Sequence, residues 1–172
     1  MIEFTKLKRV SEEVYHANTD VFDVGHQDIG RLIQLSERTK RRRVRFCAHR
    51  SRGEKVHQMF IVLPTEAYVR PHKHIGKAES IVVLQGEADY VVFNDTGSVA
   101  DIVRMGEYSS QFPFYHTIGP GKYHTILIRT KWLVFLEITQ GPFLEKDTIP
   151  AEWSPDGSDL DIAGEYMKTI SI

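Results

Sequence analysis

The sequence predicts an all-β protein, an antiparallel sandwich or barrel with one amphipathic helix near its N-terminus. Seven short stretches, residues 58–63, 67–74, 80–84, 88–93, 99–105, 123–129 and 132–139, are rich in β-branched and aromatic residues. Such side chains suit a pleated, half-buried surface. Turn formers divide these stretches at Pro64, Gly76, Gly86, Asn94 to Gly97, Gly106, Gly119 to Gly121 and Thr130-Lys131. No helical periodicity intervenes, which excludes the alternating strand and helix pattern of a parallel sheet.

Before this β region the pattern differs. An extended stretch at residues 14–24 is followed by Ile29, Leu32 and Ile33 at helical spacing, which predicts a helix over residues 27–39. Its apolar stripe is narrow, so the helix should lie on the outside of a larger body. The run Lys40 to Arg43 and Arg45 is the densest positive charge in the chain. A solvated face is the ordinary use of such a run. Arg43 and Arg45 stand two apart, so on a strand they share a face and can present planar guanidinium groups to a phosphate or carboxylate. After Pro150 the stretch Trp153-Ser154-Pro155-Asp156-Gly157 reads as a loop laid over the barrel, and residues 159–172 as a short helix or strand able to make dimer contacts. The expected division is an N-terminal extension at 1–55, a barrel at 56–148 and a tail at 149–172 packed on the barrel.

Length and composition narrow the function classes. At 172 residues the chain suits one domain with a sizeable core. Apolar residues make up 41% and the net charge is -1, which removes any pull toward nucleic acid. The opening Met1-Ile2-Glu3-Phe4 lacks the charged and then apolar order of a secretory leader, and the apolar runs are strand-length, so a cytoplasmic protein with no membrane partner is expected. The single Cys47 has no partner for an intramolecular disulfide and reads as a small buried residue. Two short matches are decoys. Gly119-Pro120-Gly121-Lys122 is followed by Tyr123, where a phosphate loop needs Ser or Thr, and Asp95-Thr96-Gly97 is an ordinary hairpin turn.

The chemistry centres on residues 70–86. On a strand through residues 67–74, His72 and His74 point to one side and Lys73 to the other, and Glu79 opens the next strand after the turn at Ile75-Gly76. Two imidazoles and a carboxylate are ordinary ligands for a divalent metal ion. The spacing His72, His74, Glu79, Gly86 resembles the first sequence motif of the cupin superfamily, although Glu66 stands where that motif has an earlier glycine. Gly121 and His124 resemble the second motif, with Pro120 one place late and Ile128 where asparagine is usual. The resemblance selects, among antiparallel barrels, the cupin jelly roll or double-stranded β-helix, and makes His124 the fourth ligand.

A closer resemblance covers roughly residues 29–155. The segments Arg43 to His49, Met59 to Val62, Tyr68 to His74, Lys77 to Ser80, Tyr123 to Thr125, Gly141 to Phe143 and Asp147-Thr148 are similar to WbuC-type cupin metalloproteins. That family is associated with bacterial O-antigen and other polysaccharide gene clusters. The resemblance implies one divalent ion (zinc, iron, nickel or manganese) on His72, His74, Glu79 and His124. Leu136-Glu137 stands where the family has a histidine before its glutamate, so any role of that histidine is lost. A metal-dependent sugar isomerase or epimerase is the expected function, with an iron-dependent dioxygenase and a non-catalytic sugar-binding or regulatory cupin as alternatives. Tyr123 and His49 are the candidate catalytic groups, with Tyr68 and Tyr115 also able to move a proton. Arg43, Arg45 and Arg70, with Tyr68 and Tyr115, are the candidate contacts to an anionic, sugar-related small molecule. Phe112, Phe114 and Tyr115 can form a sugar-stacking wall, and a homodimer is the expected assembly.

Overall fold

A computed structural model describes residues 6–170. The Met1 to Phe4 stretch, on which the absence of a leader was argued, lies outside the described residues, as do the last two of the C-terminal segment.

Two sheets face each other as a jelly roll. The larger is built, in spatial order, from β1 (Leu7–Arg9), β2 (Val14–Ala17), β3 (Val44–Cys47), β4 (Val56–Pro64), β11 (Trp132–Gln140), β6 (Glu79–Gln85) and β9 (Tyr115–Ile118). The smaller runs β12 (Thr148–Pro150), β5 (His72–His74), β10 (Tyr123–Ile128), β7 (Glu87–Phe93) and β8 (Val99–Gly106). Neighbours are antiparallel except β2 and β3, whose parallel register sets His16 beside Cys47.

Alternation along the strands makes the core. Odd-numbered Met59, Ile61, Ile81, Val83, Leu133 and Phe135 from the larger sheet meet even-numbered Ala88, Tyr90, Ile126 and Ile128 from the smaller one. Period-two patterning thus fills the barrel and fixes register, since a one-residue slip would turn these side chains outward. The outer face of the larger sheet is covered by helix α1 (His26–Ser36), whose Ile29 and Leu32 pack on Val44, Phe46, Val62 and Val134. The helix is three residues shorter than predicted at its C-terminal end. There Ser36 and Thr39 hydroxyls donate to the carbonyls of Ile33 and Ser36, a local alternative to continued helix. The outer face of the smaller sheet is covered by the C-terminal segment. Ala151, Trp153 and helix α2 (Leu160–Thr169) pack there on Val91, Phe93, Tyr123 and Leu127.

The predicted strand at residues 67–74 is reduced to three residues. Pro71 has no N–H for a ladder, and the Ala67 N–H donates to the Pro64 carbonyl in a turn instead. Strands β1, β9 and β12 were not legible in the sequence. Among the described residues, no helix is long and apolar enough to cross a membrane.

Candidate metal centre

Strand pairing builds the site. His124 lies directly opposite His72 in the β5–β10 register, while on the other side of β5 Thr148 lies opposite His74. Glu79 enters from the first position of β6 on the larger sheet. One ligand atom from each of His72, His74, Glu79 and His124 lies within 4.8 Å of the other three. Two glycines shape the turns of the strands that carry the ligands. Gly121 turns with φ 77° and donates its N–H to the His74 carbonyl at 2.8 Å, which ties the β10 turn to β5. Gly86, at φ 90°, ends β6 where a Cβ would stand 2.3 Å from the Trp132 carbonyl oxygen.

Each imidazole is held by its Nδ1. His72 meets the Arg70 carbonyl at 2.8 Å, His124 the Lys122 carbonyl at 3.0 Å, and His74 the Thr148 hydroxyl at 3.2 Å. Outer partners of this kind select the ring tautomer whose other nitrogen is free to ligate. The His74 Nε2 lies 3.0 Å from Glu79, but the buried His124 Nε2 stands 3.6 Å from Glu79 and has no hydrogen-bond partner. A buried polar atom without a partner is costly, and a cation shared by the three rings and the carboxylate satisfies it. The residues present therefore fit a divalent metal ion.

The electrostatics agree. Burial, with His124 adding to it, pulls the His72 imidazole down to about 4, so it is neutral and ready to ligate across the physiological range. Burial works to raise Glu79, but the neighbouring imidazoles of His124 and His74 outweigh it and hold the carboxyl well below its ordinary range. His124 moves upward because the Glu79 carboxylate outweighs the effect of burial. Tyr90, whose hydroxyl donates to Glu79 at 3.2 Å, is pushed upward by burial and by that carboxylate.

The other residues singled out in the sequence are placed as follows. Tyr123 precedes His124 on β10 and so projects from the opposite face, where Lys73 lies 4.2 Å from its ring centroid and Trp153 packs at 5.7 Å. The structure does not bring it to the cluster. His49 joins His16 and His57 instead, with ring centroids 5.0 Å and 4.1 Å away. Arg43 is paired with Glu13 at 2.9 Å, and Arg70 donates to the Ala151 carbonyl and the Ser154 hydroxyl, pinning the C-terminal segment. The Tyr68 hydroxyl donates to the Pro155 carbonyl at 2.8 Å, and the half-exposed Tyr115 donates to Ser80 on the outside of the larger sheet. Arg45 is the one of the three arginines whose guanidinium has no hydrogen bond or ion pair among the described residues, and its charge acts on Glu137 and Cys47.

Glu137 was not among the residues singled out. It occupies an inward position of β11, in line with Leu133 and Phe135, opposite Ile81 of β6 and Met59 of β4. Burial, and then the negative charge of Glu79, raise its carboxyl to about 7. Among the described residues its carboxyl has no hydrogen bond or ion pair. A carboxylate at an inward position of an apolar strand was a readable signal, as was Tyr90 on β7.

Residues 24–105 match the model of a family described as a domain of unknown function (DUF6016). No curated protein matches the chain. Among solved structures, the capsular polysaccharide assembling protein of Staphylococcus aureus superposes with a TM-score of 0.50 at 15% identity, over 64% of this chain and 31% of its own. The fold is a cupin barrel. Oxalate decarboxylase of Bacillus subtilis gives 0.48 at 20% identity, over 69% of this chain and 31% of its own. A sugar phosphate isomerase of the cupin superfamily from Silicibacter pomeroyi gives 0.41 at 18%, over 51% and 52%. The chain spans less than two thirds of the length of each of these three proteins.

Proposed function

We propose that this cupin barrel is the centre of a metal-dependent isomerase or epimerase of the WbuC type. Its substrate would be an anionic sugar or nucleotide-sugar of bacterial polysaccharide (O-antigen) biosynthesis. The observation that carries the proposal is the buried, partnerless His124 Nε2 among three oriented imidazoles and Glu79, with the unpaired Glu137 carboxyl inside the same barrel. A divalent ion on His72, His74, Glu79 and His124, whether zinc, iron, nickel or manganese, would supply a Lewis acid for a substrate carbonyl oxygen.

The chain's own groups account for the rest. Glu137, whose carboxyl burial raises, takes the proton from the carbon beside the carbonyl as a base; in an isomerase it returns that proton as an acid to the neighbouring carbon, and in an epimerase it releases it to solvent while a solvent proton arrives on the opposite face. No oxidant or reductant is consumed. Tyr90 orients Glu79 by its hydroxyl, and Arg45 meets an anionic group of the substrate.

The test is proton exchange. Metal-loaded protein incubated in heavy water with nucleotide-sugars and sugar phosphates should introduce deuterium at the carbon beside the carbonyl. Glu137→Gln should slow this about 100-fold or more with metal content unchanged. Oxygen consumption without exchange would turn the reading to an iron-dependent dioxygenase. Ligand binding with neither would leave a sugar-binding cupin.

A further inference from the structure

We propose a second metal site, formed by His16, Cys47 and His49, for a thiophilic ion of zinc or copper(I) type. It goes beyond the function proposed above and does not rest on it. One ring nitrogen from each histidine and the Cys47 sulfur lie within 4.8 Å of one another. The parallel pairing of β2 with β3 places His16 beside Cys47, and the chain returns His49 two residues beyond the end of β3.

The His16 ring is held in the way the barrel imidazoles are, its Nδ1 3.0 Å from the His49 carbonyl, which leaves its Nε2 to ligate. The His49 Nδ1 faces both polar groups of the Gln58 backbone, accepting from its N–H at 3.2 Å in one tautomer and meeting its carbonyl at 3.3 Å in the other, and the second tautomer is the one that frees Nε2 for an ion. His57 stacks on His49 with planes 6° apart and centroids at 4.1 Å, which holds the His49 ring in place. Beside His57, a Cβ on Gly141 would come 2.7 Å from its Nε2 and 1.8 Å from the Glu54 carbonyl oxygen, so only glycine fits there. All three groups are buried, with exposures of 8%, 2% and 6% for His16, Cys47 and His49, and among the described residues no carboxylate forms an ion pair with either histidine. Two imidazoles and a thiol are a donor set that hard cations such as magnesium and calcium do not take.

The geometry needs little adjustment. Ligands of tetrahedral zinc, at about 2.0 Å for nitrogen and 2.3 Å for sulfur, stand roughly 3.3–3.7 Å apart, so a contraction of at most about 1.5 Å closes the trio on an ion. Three protein ligands leave a fourth position open for water or a small exogenous ligand. Burial keeps the Cys47 sulfur as a thiol in the metal-free protein, so binding displaces its proton to solvent.

Metal content and spectroscopy on the whole chain test this. The parent should hold about two equivalents of zinc. A variant with His72→Ala and His124→Ala should retain one, and on cobalt(II) substitution should keep the near-ultraviolet thiolate-to-cobalt charge-transfer band. Cys47→Ala should lose that band and one equivalent while the barrel keeps its own. X-ray absorption on the parent, loaded with zinc or anaerobically with copper(I), needs no variant and should show one sulfur at about 2.3 Å; the tighter-held ion identifies the metal. Absence of a metal–sulfur contact in the parent with either ion, or a cobalt band indifferent to Cys47→Ala, overturns the proposal. Loss of barrel metal alone would count against the catalytic reading and leave this site standing.

Discussion

At neutral pH the Glu137 carboxyl of the metal-free protein is close to half protonated, and this has a measurable cost. Its value of about 7 in the fold, against 4.5 for an unperturbed glutamate, means the folded chain keeps a proton that the unfolded chain has released. Stability therefore falls as pH rises from about 4.5 to about 7 and changes no further above that. Glu137→Gln removes the penalty without changing the shape. The metal-free variant should equal the parent in acid and exceed it by about 1–3 kcal/mol at and above neutrality, measured by urea denaturation at several pH values. A gain independent of pH would mean that Glu137 is not held protonated. Residues of this kind explain why the centre was only partly legible in the sequence. His72, His74, Glu79 and His124 were readable because strand alternation and spacing speak for them. Tyr123 was read as a catalytic group beside the ligand His124, yet neighbours on a strand face opposite ways, and His124 is the one turned inward. Glu137 was passed over because it was weighed only as the neighbour of an absent histidine.

Among the elements, α1 and the site occupy different layers. The helix covers the outer face of the larger sheet, while the four candidate ligands converge inside the barrel. Leu32, 4% exposed, is the most buried apolar residue of the helix and packs on that face. Leu32→Ala should cost about 2–5 kcal/mol of stability in thermal or chemical unfolding and leave metal stoichiometry as in the parent. Loss of metal in protein that remains folded would couple the helix to the centre in a way these contacts do not. Long, alternating strands such as β4, β7 and β11 could be read from the sequence because each carries several inward apolar residues in register. β5, with Pro71 before it, has three residues and no inward apolar one. β12 likewise has three and ends in Pro150, too short for a period-two signal.

For the molecule as a whole, the barrel class followed from composition and punctuation, whereas the completion of the smaller sheet by the C-terminal segment did not. That completion rests on contacts far apart in sequence. Thr148 supports His74, Pro150 lies opposite His72, and the Ala151 carbonyl accepts from Arg70. Residues 148–154 thus act as outer support for ligands some 75 positions upstream, at no local sequence cue. Thr148→Val together with Ser154→Ala should weaken metal retention against a chelator by about 10–100-fold while the larger sheet is undisturbed. Retention equal to the parent would assign this segment to packing alone. The order of synthesis adds a further consequence. β5 leaves the ribosome flanked by turns, with no hairpin partner of its own, and its two neighbours in the sheet, β10 and β12, arrive much later. His74 therefore waits for Thr148, and His72 for His124 opposite it, until nearly the whole chain has been made. The metal can be captured in its final geometry only as one of the last events of folding, so a polypeptide cut short before residue 148 should hold the ion more weakly than the whole chain.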